Sequence, residues 1–448
     1  RRALCGGDAH GPLPHAAGLN VRLAALRYRD YRLLWSAELL STTGSQMQTF
    51  AINWHVFQLL HDRTLTLQLF GQELTLGVEA LGLGGLGLIR MLPIILCSLL
   101  GGMAADAWER RRLMVVTRAL AALLSLGLAL LTLGGGATLA PVYLAGALAA
   151  GLMAFDLPAR QSLVPHLVRR EHLSNAISLE MLVWQLANIF GPALAGALIG
   201  AAQRQGAHFS GPVGMVYALT ALALLLAALA VALLRHRGAA PGRRQLNPGA
   251  FMDGLRFTFR TRIIRGTMLL DFLAVFFASA RSMLPIIAVD VLGVGAQGYG
   301  LLAAAQPTGA VLAGSLLALG REIRRQGLVL LASVGLYALA TALFGLSTSL
   351  ALSWLLFALT GAGDTVSSVI RNTIRQVNTP DALRGRMTGV NMVFAMGGPQ
   401  LGEIEAGLVA ALFGAPFAIV SGGLAALALT GAIALRYPGL RRYTSPVA

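Results

Sequence analysis

The sequence predicts an all-α membrane protein: twelve transmembrane helices in two pseudo-symmetric six-helix bundles, with both termini cytoplasmic. Three observations lead there. Of the 448 residues, 56% are hydrophobic and only 12% are charged, against about 25% charged in a soluble domain. The charged residues fall in short clusters separated by apolar stretches of about 20 residues, the length that crosses a bilayer as a helix. The basic clusters lie almost entirely on one side of those stretches, as positive-inside orientation requires. Such a composition excludes a soluble enzyme, a disordered chain and a disulfide-stapled secreted domain.

The apolar stretches run roughly over 32–60, 84–105, 113–134, 138–159, 176–201 and 213–234, then 265–290, 299–320, 327–346, 350–371, 386–413 and 416–436. This divides the chain into a polar tail (1–27), a first bundle (28–234), a cytoplasmic linker (235–262), a second bundle (263–436) and a C-terminal tail (437–448). Residues 61–83 form the one long connection on the outer face. They are amphipathic, carry Glu73 and Glu79, and are expected to be a loop rather than an interfacial helix.

The net charge of +16 arises from 35 basic residues, all arginine, and 19 acidic ones. All of the arginines except Arg63, Arg90, Arg204 and Arg281 fall towards the cytoplasmic side. A total this basic suits nucleic-acid binding, but arginines clustered between spans orient a membrane protein. The expected partners are therefore the lipid bilayer and a small molecule, with no nucleic acid, and the chain is expected to be monomeric. Cys5 and Cys97 are too few for a disulfide framework. The first twenty residues lack the apolar core of a signal peptide.

The two halves resemble each other. PARQSLVPHLVRREHLSNAISLE follows span four and VIRNTIRQVNTPDALRGRMTGVN follows span ten. Each places an arginine at the helix end (Arg160, Arg371) and an acid before the next span (Glu171, Asp381). Parallel six-span repeats are a transporter architecture, with the substrate site between the repeats near the midplane.

Several motifs stand out. GGMAADAWERRR at 101–112 brings Gly102, Asp106, Arg110, Arg111 and Arg112 to the cytoplasmic end of span two, and an acid at that boundary needs a partner. The matching GSLLALGREIRR keeps Gly314 but has Ala318 at the acidic position. GPALAG in span five carries Gly191, Pro192 and Gly196, where proline removes a backbone donor and bends the helix. GGPQLG at 397–402 is comparable, in a register shifted by a few residues. Gly82, Gly84 and Gly87 spell a dinucleotide fingerprint, but that motif needs a strand before it. Leading into a membrane span, these glycines are expected to serve close helix packing. No metal-binding, phosphate-loop or Cys-x-x-Cys pattern appears, so neither an enzyme nor a cofactor is expected.

Ionisable residues inside spans are costly and mark function or pairing. Glu38 begins a polar stripe on span one, continued at helical spacing by Thr42, Ser45, Thr49 and Asn53 and flanked by Gln46 and Trp54. Such a stripe suits a cavity wall, with a helix-packing seam as the alternative. Arg90 and Arg281 fall in the outer half of the bilayer, where they face an anionic substrate or pair with acids. Asp156 and Arg160, four apart, suit an intrahelical pair. Asp364 and Arg371, seven apart, share a face, whereas Glu403 and Glu405 point to different faces. The cavity candidates are thus Glu38, Ser45, Thr49, Asn53, Trp54, Arg90, Arg281 and Asp364. The proton-carrying candidates are Glu403 first, then Glu38 and Asp364.

With these residues in view, the chain resembles the transmembrane secretion effector branch of the major facilitator superfamily. The resemblance covers about residues 28–436, through RDYRLLWSAELLSTTGSQMQTFAINW, GGMAADAWERRR, PARQSLVPHLV, GLRF (254–257) and NTPDALRGRMTGV. The loop after span two is similar to the family's G-x-x-x-D-R-x-G-R-R, with Ala107 and Glu109 off the pattern. GPALAG is similar to the antiporter motif G-P-x-x-G-G, with Ala195 in place of a glycine. The resemblance implies a major facilitator fold and a cytoplasmic latch at Asp106, Arg110 and Arg111. It implies a cavity lined by spans one, four, seven and ten. It also implies alternating-access export of drug-like or siderophore-like molecules across the bacterial inner membrane by proton antiport, with the proton gradient as energy source and no cofactor. The arginine that many drug/proton antiporters carry in span four is absent from APVYLAGALAAGLMAF, so the proton path is expected to differ from theirs. The competing readings are an importer of the same fold and a non-transporting scaffold or sensor, which would need an attached soluble domain.

Overall fold

The computed structural model describes residues 24–61, 63–69, 72–206, 208, 210–236, 248–320 and 323–444. Most of the expected N-terminal tail, residues 237–247 of the linker and the last four residues lie outside these. Helices dominate because a chain this apolar must satisfy its backbone groups internally if it is to sit in lipid. The first half contains α1 (Arg29–Leu60), α2 (Val78–Ala107), α3 (Arg110–Leu133), α4 (Leu139–Leu167), α5 (Leu173–Arg204) and α6 (Ser210–Ala232). A short α7 (Pro248–Arg260) occupies part of the expected linker. The second half follows with α8 (Arg262–Phe277), the single turn α9 (Leu284–Ile286), α10 (Gly295–Leu319), α11 (Gln326–Leu346), α12 (Leu350–Val377), α13 (Asp381–Phe413), α14 (Ala415–Arg436) and the turn α15 (Pro438–Arg441).

Among the described residues, ten helical segments are long and apolar enough to cross a membrane. Helices α1 and α13 are as long, at 32 and 33 residues, and more polar; α1 carries Glu38, Gln46, Gln48 and Asn53.

Two elements differ from expectation. The 61–83 connection is neither a loop nor an interfacial helix. Thr64–Leu69 (β1) and Gln72–Gly77 (β2) pair as an antiparallel hairpin, from Thr64 opposite Gly77 to Leu69 opposite Gln72. The alternation in TLTLQL has a period of two, which is a strand signal, and the register sets Leu65 opposite Leu76 and Leu67 opposite Leu74. Span seven is also interrupted. Helix α8 stops at Phe277, and Arg281–Met283 forms a 3-10 turn before α9 and a π turn at Ile287–Val291.

Glycines set how the halves meet. A Cβ on Gly84 of α2 would lie 2.8 Å from the Cα of Gly407 on α13, and one on Gly196 of α5 would lie 2.8 Å from the Cα of Gly300 on α10. Only residues without side chains allow backbones to approach this closely. The apparent dinucleotide fingerprint is therefore a helix-packing surface. The buried core is distributed unequally along these seams. At the end away from the arginine clusters, one core unites both halves; there the Phe50 and Tyr299 rings stack at 4.1 Å. At the arginine-rich end each half has its own core, around Tyr31 and Leu163 in the first and around Leu330 and Ile374, or Met268 and Val390, in the second.

Candidate transport cavity

A cavity of about 670 Å³ opens between the halves, within the size range of small-molecule sites. Its wall comes from α8, α10, α11, α12 and α13, with α5 from the first half. Of the four spans expected to line it, seven (α8) and ten (α12) do so. Spans one and four contribute no lining residue, and α5, α10, α11 and α13 take their place. The break after α8 lies in this wall, since Ala278, Ser279, Ala280 and Arg281 all line the cavity. Irregular backbone at membrane depth is tolerated where it borders such a space.

The lining mixes rings, amides and charges, among them Trp184, Asn188, Phe272, Gln306 and Phe394. Arg371 is buried and lies 2.7 Å from Asp271 and 3.6 Å from Asp364. The Asp364 side chain is 47% exposed. Arg375, one turn further, donates to the amide oxygens of Asn372 and Asn391. At the opposite end of the lining, Glu403 lies in the field of Arg90 of α2 and Arg281.

Of the residues singled out from sequence, Asp364, Arg281 and Glu403 line the cavity, whereas Glu38, Ser45, Thr49, Asn53, Trp54 and Arg90 do not. Glu38 is only 3% exposed. Its carboxylate is bound by Arg118 of α3 and, at 2.8 Å, by Arg160. Arg118 also meets Asp156 at 3.2 Å. The expected Asp156–Arg160 pair is thus exchanged for two interhelical pairs. Trp54 is sealed in the core at the arginine-poor end against Phe57 and Tyr299, and Asn53 accepts a hydrogen bond from Arg90 at 3.2 Å. Ser45 and Thr49 are exposed on α1, and the Thr49 hydroxyl donates to the Ser45 carbonyl. Gln46 reaches the cavity indirectly, by donating to Asn188 at 2.8 Å.

Arg118 falls among the arginines expected to orient the protein. Its position eight residues inside α3 was the available sign that it needed a buried partner.

In the gate motif, the side chains of Gly102 and Asp106 lie outside the described residues. Arg110 donates to the Ser162 carbonyl at 3.1 Å and Arg111 to the Leu234 carbonyl at 2.8 Å. Glu109, which departs from the family pattern, pairs with Arg111 and Arg112.

The Gly-Pro motif lies on the seam. Gly191 faces Gln46 of α1, and Gly196 faces Gly300. Gly402 and Gly407 repeat this against α8 and α2. They follow Gly191 and Gly196 by 211 residues, the same interval that separates Arg160 from Arg371. In this register Glu403 stands where the first half has Pro192.

Comparison with known proteins agrees with this arrangement. Residues 20–445 match the transmembrane secretion effector family. The enterobactin exporter EntS of Citrobacter koseri is 28% identical over 351 residues, covering 78% of this chain and 81% of that protein. Its counterpart in Escherichia coli O1:K1 is 28% identical over 339 residues, covering 75% and 78%. In fold, the chain is similar to a bacterial homolog of the human lysosomal transporter Spinster, crystallised inward-facing and occupied (TM-score 0.69, 14% identity, 94% of this chain and 99% of that one). It is also similar to the nucleoside transporter NupG (TM-score 0.66, 13% identity, 92% and 99%). The chain belongs to the transmembrane secretion effector family of major facilitator transporters, multi-pass membrane proteins that move solutes rather than transform them.

Proposed function

We propose that this protein exports small organic molecules across the bacterial inner membrane by alternating access, driven by proton antiport. Helices α1 and α13 join the ten apolar segments to make twelve spans, with both termini in the cytoplasm and the β-hairpin outside. The observation that carries the reading is the unequal core. The halves share one core at the arginine-poor end and keep separate cores at the arginine-rich end. With the arginines cytoplasmic, this is an inward-facing transporter, sealed outside and able to load from the cell. The enterobactin exporters among its relatives support outward movement of a siderophore-like or drug-like molecule. The mixed aromatic and charged lining suits such a cargo.

Inverted membrane vesicles test this directly. Vesicles containing the protein should accumulate enterobactin when a proton gradient is imposed, and should release it when an uncoupler collapses the gradient. Accumulation in right-side-out vesicles instead would favour the importer.

A further inference from the structure

We propose that Arg281 is the cation on which the cargo docks, and that the cavity therefore selects organic anions with an apolar, ring-bearing body. This rests on the export reading above for the direction of movement, and names the charge class of what is carried.

The cavity lining carries three guanidiniums and three carboxylates. Two of each form one matched set. Arg371 lies 2.7 Å from Asp271 and 3.6 Å from Asp364. Arg375 donates to Asn372 and Asn391 and lies in the field of Asp271. The remaining titratable group of the wall, Tyr337, donates its hydroxyl hydrogen to the Ala278 carbonyl. The first-half charges Glu38, Arg118, Asp156, Arg160 and Glu180 are not part of the lining.

Arg281 and Glu403 are left. Glu403 is shared, because it lies in the field of Arg90 as well as of Arg281. Arg90 stands behind the wall, where it donates to Asn53 at 3.2 Å. Two guanidiniums therefore face one carboxylate, and protonating any of these acids would only enlarge the positive surplus. Of the two, Arg281 is the one that lines the cavity, and it is exposed. It makes no hydrogen bond or ion pair among the described residues. An arginine present only to neutralise Glu403 would pair with it.

The backbone explains how the side chain comes to be there. Span seven breaks after Phe277, and Arg281 opens the 3-10 turn that follows, a turn that packs on α2 and α13. A Cβ on Gly402 would lie 2.6 Å from the Phe276 carbonyl oxygen and 3.0 Å from the Cβ of Ser279. The 400–403 stretch of α13 is thereby pressed against the break. In that stretch Gln400 lines the cavity, and its amide oxygen is buried without a partner. Adjoining elements thus offer a guanidinium fork, which a carboxylate fills with two parallel hydrogen bonds, and an unused acceptor for a hydroxyl or N–H of the same molecule. Trp184, Phe272 and Phe394 supply ring faces for its body. Within low-dielectric walls, one unmatched positive charge concentrates anions and repels cations.

1-Naphthoate and its neutral isostere 1-naphthamide test this on the purified full-length protein, by equilibrium dialysis against micelles alone. The wild type should bind the naphthoate about tenfold more tightly than the amide. Arg281→Gln should bind the two alike. Should Arg281→Gln fail to fold by circular dichroism, Arg281→Met reads the same comparison. No binding of naphthoate, equal binding of the two probes by the wild type, or a preference that survives the loss of Arg281 would each overturn the proposal. Binding needs no gradient, so the two readings fail separately. If the preference follows Arg281 but inverted vesicles never accumulate enterobactin, the export reading fails and the anion site stands. If the vesicles accumulate enterobactin but the wild type does not distinguish the probes, the anion site fails and the export reading stands.

Discussion

Arg118 holds together the polar interior of the first half. It links Glu38 of α1 to Asp156 of α4 while itself 3% exposed. Removing one partner of a buried ion pair strands the others, at a cost of about 3–5 kcal/mol. Arg118→Leu should therefore destabilise the protein in detergent by about that amount, read from denaturant titration. Arg63→Leu, at an exposed position, should stay within about 0.5 kcal/mol of wild type. Glu38 was legible in the sequence as an expensive intramembrane acid, but its partners were not. Helical spacing proposed Asp156 with Arg160 because it sees only one helix at a time. Which arginine reaches which acid depends on how α1, α3 and α4 pack. In the second half, likewise, the arginine that binds Asp271 lies 100 residues away on α12.

The elements that matter most are the two glycine-crossed pairs, α2 with α13 and α5 with α10. Overpacking a tight contact costs about 1–3 kcal/mol, enough to shift a conformational balance about tenfold or more. Gly407→Leu should wedge the outer seam apart and cut transport by about tenfold, measured as initial uptake into vesicles. Gly431→Leu, with no neighbour within 4 Å of its would-be Cβ, should leave transport unchanged. The seam glycines were readable from sequence as packing residues, though not as contacts between halves. The hairpin differs from the expected loop because the period-two leucines at 65, 67 and 69 carry a strand signal that the length and the acids Glu73 and Glu79 of the segment do not. Topology has its own test in a background with Cys5 and Cys97 replaced. A cysteine at position 208 should react with an impermeant maleimide in intact cells, and one at position 236 only after permeabilisation. The opposite pattern would invert the membrane orientation.

At the scale of the whole molecule, the helical, membrane-spanning class was legible because hydropathy is summed over many residues and survives local errors, and ten long apolar helical segments are present among the described residues. The cavity wall was less legible. Two of its four expected spans hold, and the rest of the wall comes from α5, α10, α11 and α13. A span reaches the cavity according to its tilt and to the conformational state, and neither is written into one segment. The central claim is that a cavity sealed at the arginine-poor end and flanked by separate cores at the arginine-rich end belongs to a proton-driven exporter. Uptake by inverted vesicles is its most direct measurement. Gradient-dependent accumulation of enterobactin in inverted vesicles, abolished by an uncoupler, is the predicted result. Accumulation in right-side-out vesicles only, or uptake indifferent to the gradient, would contradict it.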